Sequence, residues 1–344
     1  MRAWGVLVGT SVLIAHVGCD AESVTAPAPQ PTKLQSDGRA GRSAAMGYAL
    51  TWVRASDELW VSGRSLPNAK SIEAGWAPDE ETAALLESNA WVLDEVQRLS
   101  SLPRCEFDID RDQGVSALLP HLTYMRTSVH ALLADAQRLR HAGEADRAAG
   151  RIAGALGVAR HMGMDLTHMT SRVSAESTMG ACRLGIALVG EHELSDEAQR
   201  SLLDALERFD MADPFRSREA THAVVELGVA NSALELRESR KSVEGGFVAI
   251  EMGEAPEGGP SEKDLAWIER EINECRAWAA DVVAAMDDPD RPIARLRGIS
   301  KKIRDGDYGE LAQKGLDYSL VPVMQPELAA REKMVELSAM LDPH

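Results

Sequence analysis

Two short sequence patterns contain residue types that bind metal ions in helical proteins. Asp165 is followed three residues later by His168, and Glu219 is followed by His222 and then by Glu226. Residues three, four or seven positions apart share one face of a helix, so each group can point in one direction. Helical di-metal carboxylate proteins build their sites from such pairs on facing helices. These five residues are the candidate metal ligands, and a helical metal-dependent enzyme is one alternative function.

The same patterns also have structural interpretations. Gly163 is expected to end a helix, which makes Asp165 the N-cap of the next helix and takes His161 off its face. Glu219 borders an apolar stripe and can be a solvated residue. Short motifs of this kind often match by chance. The sequence therefore favours the structural interpretation and predicts no cofactor.

Two other groups of residues allow a binding role. His121 and Arg126, near the start of a long helix, can line a polar pocket, but local backbone bonding and an ion pair are the favoured explanation. Four tryptophans fall in the first third of the chain and can form a binding surface, but we expect them to fill the core: Trp52, Trp60, Trp76 and Trp91. The chain has no GxSxG, HExxH, Walker-type or CxxC motif, which disfavours hydrolase, zinc-protease, nucleotide and thioredoxin chemistry. The sequence favours a non-enzymatic role.

The composition indicates which elements must position these residues. The chain has 344 residues, of which 44% are hydrophobic and 26% charged, but only 4% are aromatic. A core of Leu, Val, Ala and Met favours helices over strands. We expect an all-α fold without a substantial sheet, either an antiparallel helical bundle or stacked helical hairpins of tetratricopeptide-like form.

Apolar spacing, caps and Gly or Pro stops predict ten helices in the body. They cover residues 46–61, 80–102, 118–141, 144–161, 166–189, 196–209, 213–239, 261–286, 293–304 and 326–340. Residues 243–260 are rich in Gly and Pro and contain the single strand-like run, 247–250. They predict a loop between a main helical domain, 46–242, and a C-terminal helical subdomain, 261–344.

The N-terminus has the pattern of an export signal. Arg2 precedes an apolar run from Gly5 to Val17, which is shorter than a membrane span of about 20 residues. Gly18-Cys19 resembles the bacterial lipobox, although His16 stands where that pattern has an apolar residue. The resemblance implies lipidation of Cys19, with cleavage after Ala21 as the alternative. Residues 1–18 are thus a predicted signal segment and residues 19–45 a flexible tether.

Charge restricts the partners. The net charge of −17 disfavours nucleic acid, which requires a concentrated positive surface. Residues 241–290 carry 13 acidic and 4 basic side chains, whereas residues 291–304 carry six basic ones and no acid. We expect the basic helix to pack beside the acidic helix before it, with contact to anionic lipid as the alternative.

Three cysteines remain after Cys19, and none belongs to a CxxC pair. Cys182 and Cys275 share helical stripes with apolar residues and are expected to be small core residues. For Cys105, Cys182 and Cys275, the sequence also allows one disulfide and one free thiol, because disulfide connectivity cannot be read from sequence.

Three short segments carry a resemblance. Pro103-Arg104-Cys105-Glu106-Phe107, Leu118-Leu119-Pro120-His121-Leu122, and the Gly143-Glu144-Ala145 turn into an Ala-rich helix are similar to a set of uncharacterised, exported, all-helical proteins of planctomycete-type bacteria. The likeness covers about residues 80–210. It implies helices and export, and it implies no activity.

The leading functional expectation is a helical interaction or scaffold protein of the cell envelope, anchored in the membrane as a lipoprotein or free in the periplasm. Its partners would be the membrane, through the lipid on Cys19, and a protein. A metal-dependent enzyme and a small-molecule binding protein are the alternatives.

Overall fold

Helices form the regular structure of the residues that the computed structural model describes, and these residues contain no strand. The described residues are 43–55, 59, 66, 76–109, 119–211, 213–223, 225, 262–288, 290–309 and 321–342. The all-α prediction is confirmed. The helices are α1 (Ala44–Arg54), α2 (Glu80–Ser88), α3 (Ala90–Ser100), α4 (Pro120–His141), α5 (Ala145–Gly163), α6 (His168–Glu191), α7 (Asp196–Glu207), α8 (Ser217–Ala223), α9 (Glu262–Met286), α10 (Pro292–Asp305) and α11 (Val321–Leu341).

Local sequence explains why several helices begin where they do. Asp79 Oδ1 accepts from the Thr82 N–H at 2.8 Å, which satisfies a backbone donor that has no partner within α2. Ser195 caps α7 in the same way. Pro120 and Pro292 stand in the first turns of α4 and α10, where a missing N–H costs nothing.

Asn89 divides in two the helix predicted over residues 80–102. Its backbone leaves helical geometry, with φ −107° and ψ 17°. Its side-chain Nδ2 donates to the Leu85 carbonyl at 2.9 Å, so it competes for a helical acceptor. The prediction of one helix was wrong because Asn89 was treated as a member of the apolar stripe.

The predicted helix start at Asp213-Pro214 was also wrong. The Asp213 carboxylate accepts from the N–H groups of Ser217 and Arg218, both at 3.1 Å, so it caps α8 from four residues away. Arg216 has a φ of 54°, which turns the chain immediately before Ser217. The residues before α8 therefore form a capped turn.

Two further helix starts differ from expectation. Thr167, not Asp165, is the N-cap of α6, and it forms a capping box with Thr170. Leu166, with a φ of 57°, turns the chain so that Thr167 reaches this position. The last helix begins at Val321 and contains Pro326, which was predicted to start it.

The larger core surrounds α5, which packs against α3, α4, α6 and α7. The helices approach closely because small residues line their contacts. At Gly157 of α5, a Cβ atom would lie 2.5 Å from the Ser100 carbonyl oxygen of α3. Backbone-to-backbone contact of this kind lets a core poor in aromatic residues pack without voids.

A smaller core joins α9, α10 and the start of α11. Trp278, Leu296, Ile303 and Met324 are buried in it. The rest of α11 packs on α6 and places Ala330, Met334, Leu337 and Leu341 in the larger core. One helix therefore contributes to both cores, and all described residues belong to one unit spanning 41–344.

Several predictions fall on residues outside the described ranges. They include the signal segment, most of the tether, the 243–260 loop and its strand-like run. The division into a main domain and a C-terminal subdomain, and the tetratricopeptide-like arrangement, stay predictions. Within the described part of the chain, no helix combines the length and apolar composition that crossing a bilayer requires.

The close approach of α5 to α3 gives a stability prediction. Gly157→Ala should lower the free energy of unfolding by about 1 to 3 kcal/mol, because the new methyl group overlaps a backbone carbonyl. Gly190→Ala is the matched control, since Gly190 lies in α6 with nothing within 4 Å of the new Cβ. It should stabilise the protein by about 0.5 to 1 kcal/mol. Urea unfolding followed by circular dichroism measures both, and equal stabilities would contradict the close approach.

Candidate functional site

The second candidate metal group is exposed in α8. Glu219 pairs with Arg216, and the His222 side chain faces solvent. Glu226 lies outside the described residues. The carboxylate that would begin a metal site on this helix thus already has a cationic partner.

Asp165 and His168, the first candidate group, are buried, and each contacts a different residue. Asp165 Oδ2 lies 2.7 Å from His121 Nε2, and the exposed fraction of each side chain is below a tenth. His168 Nε2 lies 3.1 Å from Thr221 Oγ1. Burial lowers the pKa of His168 to about 4, so its ring is neutral at ordinary pH. Asp165 and His168 thus make contacts in different directions.

These contacts do not decide whether the candidate residues bind a metal ion, so the metal site stays a prediction. His168 of α6 does meet α8, one residue from His222, as a site built between two helices requires. Among the described residues, however, no three His, Cys, Asp or Glu side chains are placed to hold one metal ion.

His121 has a structural setting in the described residues. Phe107 stacks on its ring at 4.0 Å between centroids, and Asp165 accepts from its Nε2–H. Arg126 is exposed and does not share this contact. Neither residue lines the two clefts described below.

The three cysteines of the body are buried free thiols. Burial raises the pKa of each, to about 12 for Cys275. A thiol with a raised pKa is a poor nucleophile at neutral pH. The core interpretation of Cys182 and Cys275 agrees with this burial, and Cys105 joins them.

Sequence reasoning missed a polar contact that joins α8 to α11. Ser217 Oγ donates to Glu327 Oε2 at 2.8 Å, and the Glu327 side chain is fully buried. Its other oxygen, Oε1, is buried without a hydrogen-bond partner among the described residues. Burial raises the pKa of Glu327 to about 7, with Asp213 adding to the rise and Arg331 and Arg218 opposing it. Nothing in the local sequence marks Glu327 as buried.

Helix α1 carries two apolar faces, and only one of them is used by the core. Tyr48 and Trp52 point inward and are buried. Met46, Leu50 and Val53 lie at i, i+4 and i+7 on the opposite face, and their exposed fractions are 68%, 57% and 85%. Large apolar side chains in a row on a surface mark an interaction site more often than single ones do.

A groove runs between this helix and α3. It is an open cleft of about 630 Å³. Its walls are formed by Gly47, Leu50, Thr51 and Arg54 of α1 and by Trp91, Asp94, Glu95 and Arg98 of α3. The Trp91 ring is 44% exposed, and the Arg54 guanidinium lies 5.7 Å from its centroid. The two acids and two bases of the walls give the groove a charged rim around an apolar floor.

Buried polar contacts hold α1 in place. Tyr48 Oη lies 3.0 Å from His161 Nδ1, and His161 Nε2 lies 2.8 Å from the Leu102 carbonyl oxygen. Arg160 Nη2 also lies 2.9 Å from His161 Nε2, so the ring is held on both of its nitrogens. Burial, with the nearby Arg160 charge, lowers the pKa of His161 to about 3 and keeps the ring neutral. Trp52 Nε1 donates to Ser128 Oγ at 3.2 Å.

A second cleft, on the other side of α3, has a different character. Its Arg151 guanidinium is buried and bonded to Asp94, Gln97 and Asp135 at 2.7 to 2.8 Å. The strongest charge of that cleft is thus already neutralised. The α1–α3 groove is the better candidate, because its apolar surface has no partner among the described residues.

The sequence contained a signal for this groove. Met46, Leu50 and Val53 repeat at helical spacing on the face opposite Tyr48 and Trp52, and a second stripe on one helix can be recognised from positions alone. Of the tryptophans, Trp52 is buried, Trp76 is partly buried, Trp91 lines the groove, and Trp60 lies outside the described residues.

The chain matches no model of a known protein family, no curated protein and no solved structure. The role of the groove therefore has to be inferred from its own geometry.

Glu327 gives a prediction about pH. Its pKa rises from 4.5 in the unfolded chain to about 7 in the fold, so the folded state keeps a proton that the unfolded state releases. The free energy of unfolding should therefore fall by roughly 3 kcal/mol as pH rises from 4.5 to above 7. Glu327→Gln should lose this fall and be more stable than the wild type at pH 8.

Glu336→Gln on the exposed side of α11 is the control, and it should keep the wild-type pH dependence. Urea unfolding at pH 5 and pH 8 measures the three proteins. A Glu327→Gln variant that follows the wild-type curve would show that Glu327 is charged in the fold.

Proposed function

We propose that this protein is a helical interaction module of the cell envelope, anchored through Cys19, and that its α1–α3 groove binds an amphipathic helix of a partner protein. The observation that carries the proposal is the exposed apolar stripe of Met46, Leu50 and Val53, of which Leu50 lines the groove together with Trp91. An exposed stripe on a helix whose other face is fully packed has no structural role in the described fold.

The form of the groove favours a helical partner. Peptide helices bind in grooves by placing apolar side chains at i, i+3, i+4 and i+7 against an apolar floor. Leu50 and the Trp91 ring supply such a floor, and large aromatic residues often contribute most to binding energy. Arg54 at the rim can pair with an acidic side chain on the edge of the partner helix.

The chemistry of the groove favours binding over catalysis. Its walls hold no Cys, His or Ser, and its acids already make ion pairs. Glu95 accepts from Arg98 at 2.6 Å and 2.8 Å, and Asp94 accepts from Arg151 at 2.7 Å. Charged groups engaged in this way fix orientation at a binding site and do not transfer protons.

The anchor part of the proposal rests on the sequence. Helix α1 follows the predicted tether, 19–45, along the chain. Cys19 and the tether stand outside the described residues, and their role rests on the lipobox resemblance and on the composition of the tether.

Site-specific photo-crosslinking in the bacterial envelope tests the groove. A photoreactive residue at Val53 of the full chain should form one discrete adduct with another protein. Leu50→Asp in the same chain should reduce that adduct at least tenfold, because a desolvated carboxylate opposes burial of the partner helix.

Val335 of α11 is the matched control, since it is an apolar side chain with an exposed fraction of 60% on another helix. A photoreactive residue at Val335 should give no adduct, and Val335→Asp should leave the Val53 adduct unchanged. The same adducts at both positions would overturn the groove proposal. An adduct with the mass of two identical chains would replace the foreign partner by a second copy.

The anchor is tested separately. The wild-type chain should incorporate labelled fatty acid and fractionate with membranes, whereas Cys19→Ala should carry no label. Cys105→Ala is the control, because Cys105 is buried in the folded body, and it should be labelled like the wild type. Label on the Cys19→Ala variant would exclude Cys19 as the lipid site.

A further inference from the structure

The basic helix α10 has two exposed flanks, and only one is neutralised by the acidic helix before it. Lys302 Nζ lies 3.5 Å from Asp281 of α9, and Arg295 lies 3.2 Å from Asp288 just beyond that helix. The expectation that the basic helix packs beside the acidic one is thus supported on this flank.

The other flank carries cations without such partners. Leu296, Ile299 and Ile303 fix the inner face of α10 in the smaller core. Arg297 and Lys301, four residues apart, therefore project on the flank away from Lys302 and Arg295, and both are exposed. No described residue forms an ion pair or side-chain hydrogen bond with either.

The surface of α10 between the two flanks is formed by small residues. Ala294 and Gly298 are exposed between the two flanks of α10, and nothing lies within 4 Å of the place where a Cβ on Gly298 would stand. Long cationic side chains on both sides of a ridge of small residues can reach a flat surface together. Asp305 and Asp307 limit the patch at the end of the helix.

We propose that this face of α10, defined by Arg297 and Lys301, docks on an anionic phospholipid surface. The proposal rests on the envelope location in the proposed function, because a chain held beside a membrane meets lipid headgroups at high local concentration. Clusters of basic residues on an amphipathic helix bind anionic lipid at about 1 kcal/mol for each cation near the surface.

Charge gives the docking an orientation. The whole chain carries a net charge of −17, so most of its surface is repelled by anionic headgroups. The row on α10 belongs to a segment, 291–304, with six basic side chains and no acid. This uneven distribution of charge would orient the protein with α10 toward the bilayer.

Vesicle co-sedimentation of the full chain tests the proposal. The vesicles contain phosphatidylcholine alone, or phosphatidylcholine with about one third phosphatidylglycerol. The N-terminal apolar segment is common to all variants, so the ratio of binding to the two vesicle types isolates the contribution of headgroup charge. Arg297→Gln with Lys301→Gln should reduce this ratio about 25-fold, or about fivefold for each cation.

Arg104→Gln with Arg183→Gln is the matched control, since it removes two exposed cations that have no partner among the described residues. It should leave the ratio unchanged. The wild-type ratio should also fall as salt rises, because exposed charges are screened. An unchanged ratio in the α10 variant, or an equal loss in the control, would overturn the proposal. Anionic-vesicle binding that resists salt would do so too.

The assay needs neither lipid on Cys19 nor an occupied groove. Failure of the groove crosslink would leave the vesicle result standing. Binding of the α10 face to soluble polyanionic protein but not to vesicles would assign the face to a protein partner instead.

Discussion

Close contact between helix backbones is the constraint on which the rest of this structure depends. With so few aromatic side chains, the core can be filled only if the helices approach one another at small residues. Gly157 lies against the Ser100 carbonyl, and Gly47 lies against the side chain of Leu99. These contacts place α5 at the centre, fix α1 on α3, and thereby position both walls of the groove.

Buried polar pairs then fix the alignment that small side chains leave undefined. Tyr48 with His161 and Ser217 with Glu327 join helices that are distant in sequence, and His121 with Asp165 joins α4 to the turn before α6. A buried polar group costs free energy unless its partner is in place, so each pair selects one arrangement of its helices. Of the candidate metal ligands, Asp165, His168 and Glu219 have partners of this structural kind.

The two surfaces assigned to binding arise in the same way. Helices α1 and α10 each have a face that the described fold does not cover. On α1 it is a second apolar face, and on α10 it is a second basic flank. The core and the acidic helix α9 satisfy one side of each helix. The side that remains is the side available to a partner helix or to a lipid surface, and the two proposals require different partners.

The sequence by itself determined the helical class, most helix bounds from α4 to α10, and the core position of Cys182 and Cys275, because periodicity and caps are local properties. Only the tertiary structure decided that Asn89 breaks a helix, that Thr167 caps α6, that α11 joins two cores, and that Glu327 is buried. The groove could be predicted only in part from the sequence, because helical spacing shows which residues share a face of a helix. Which face meets another helix depends on contacts between residues far apart in the chain, and periodicity carries no information about those contacts.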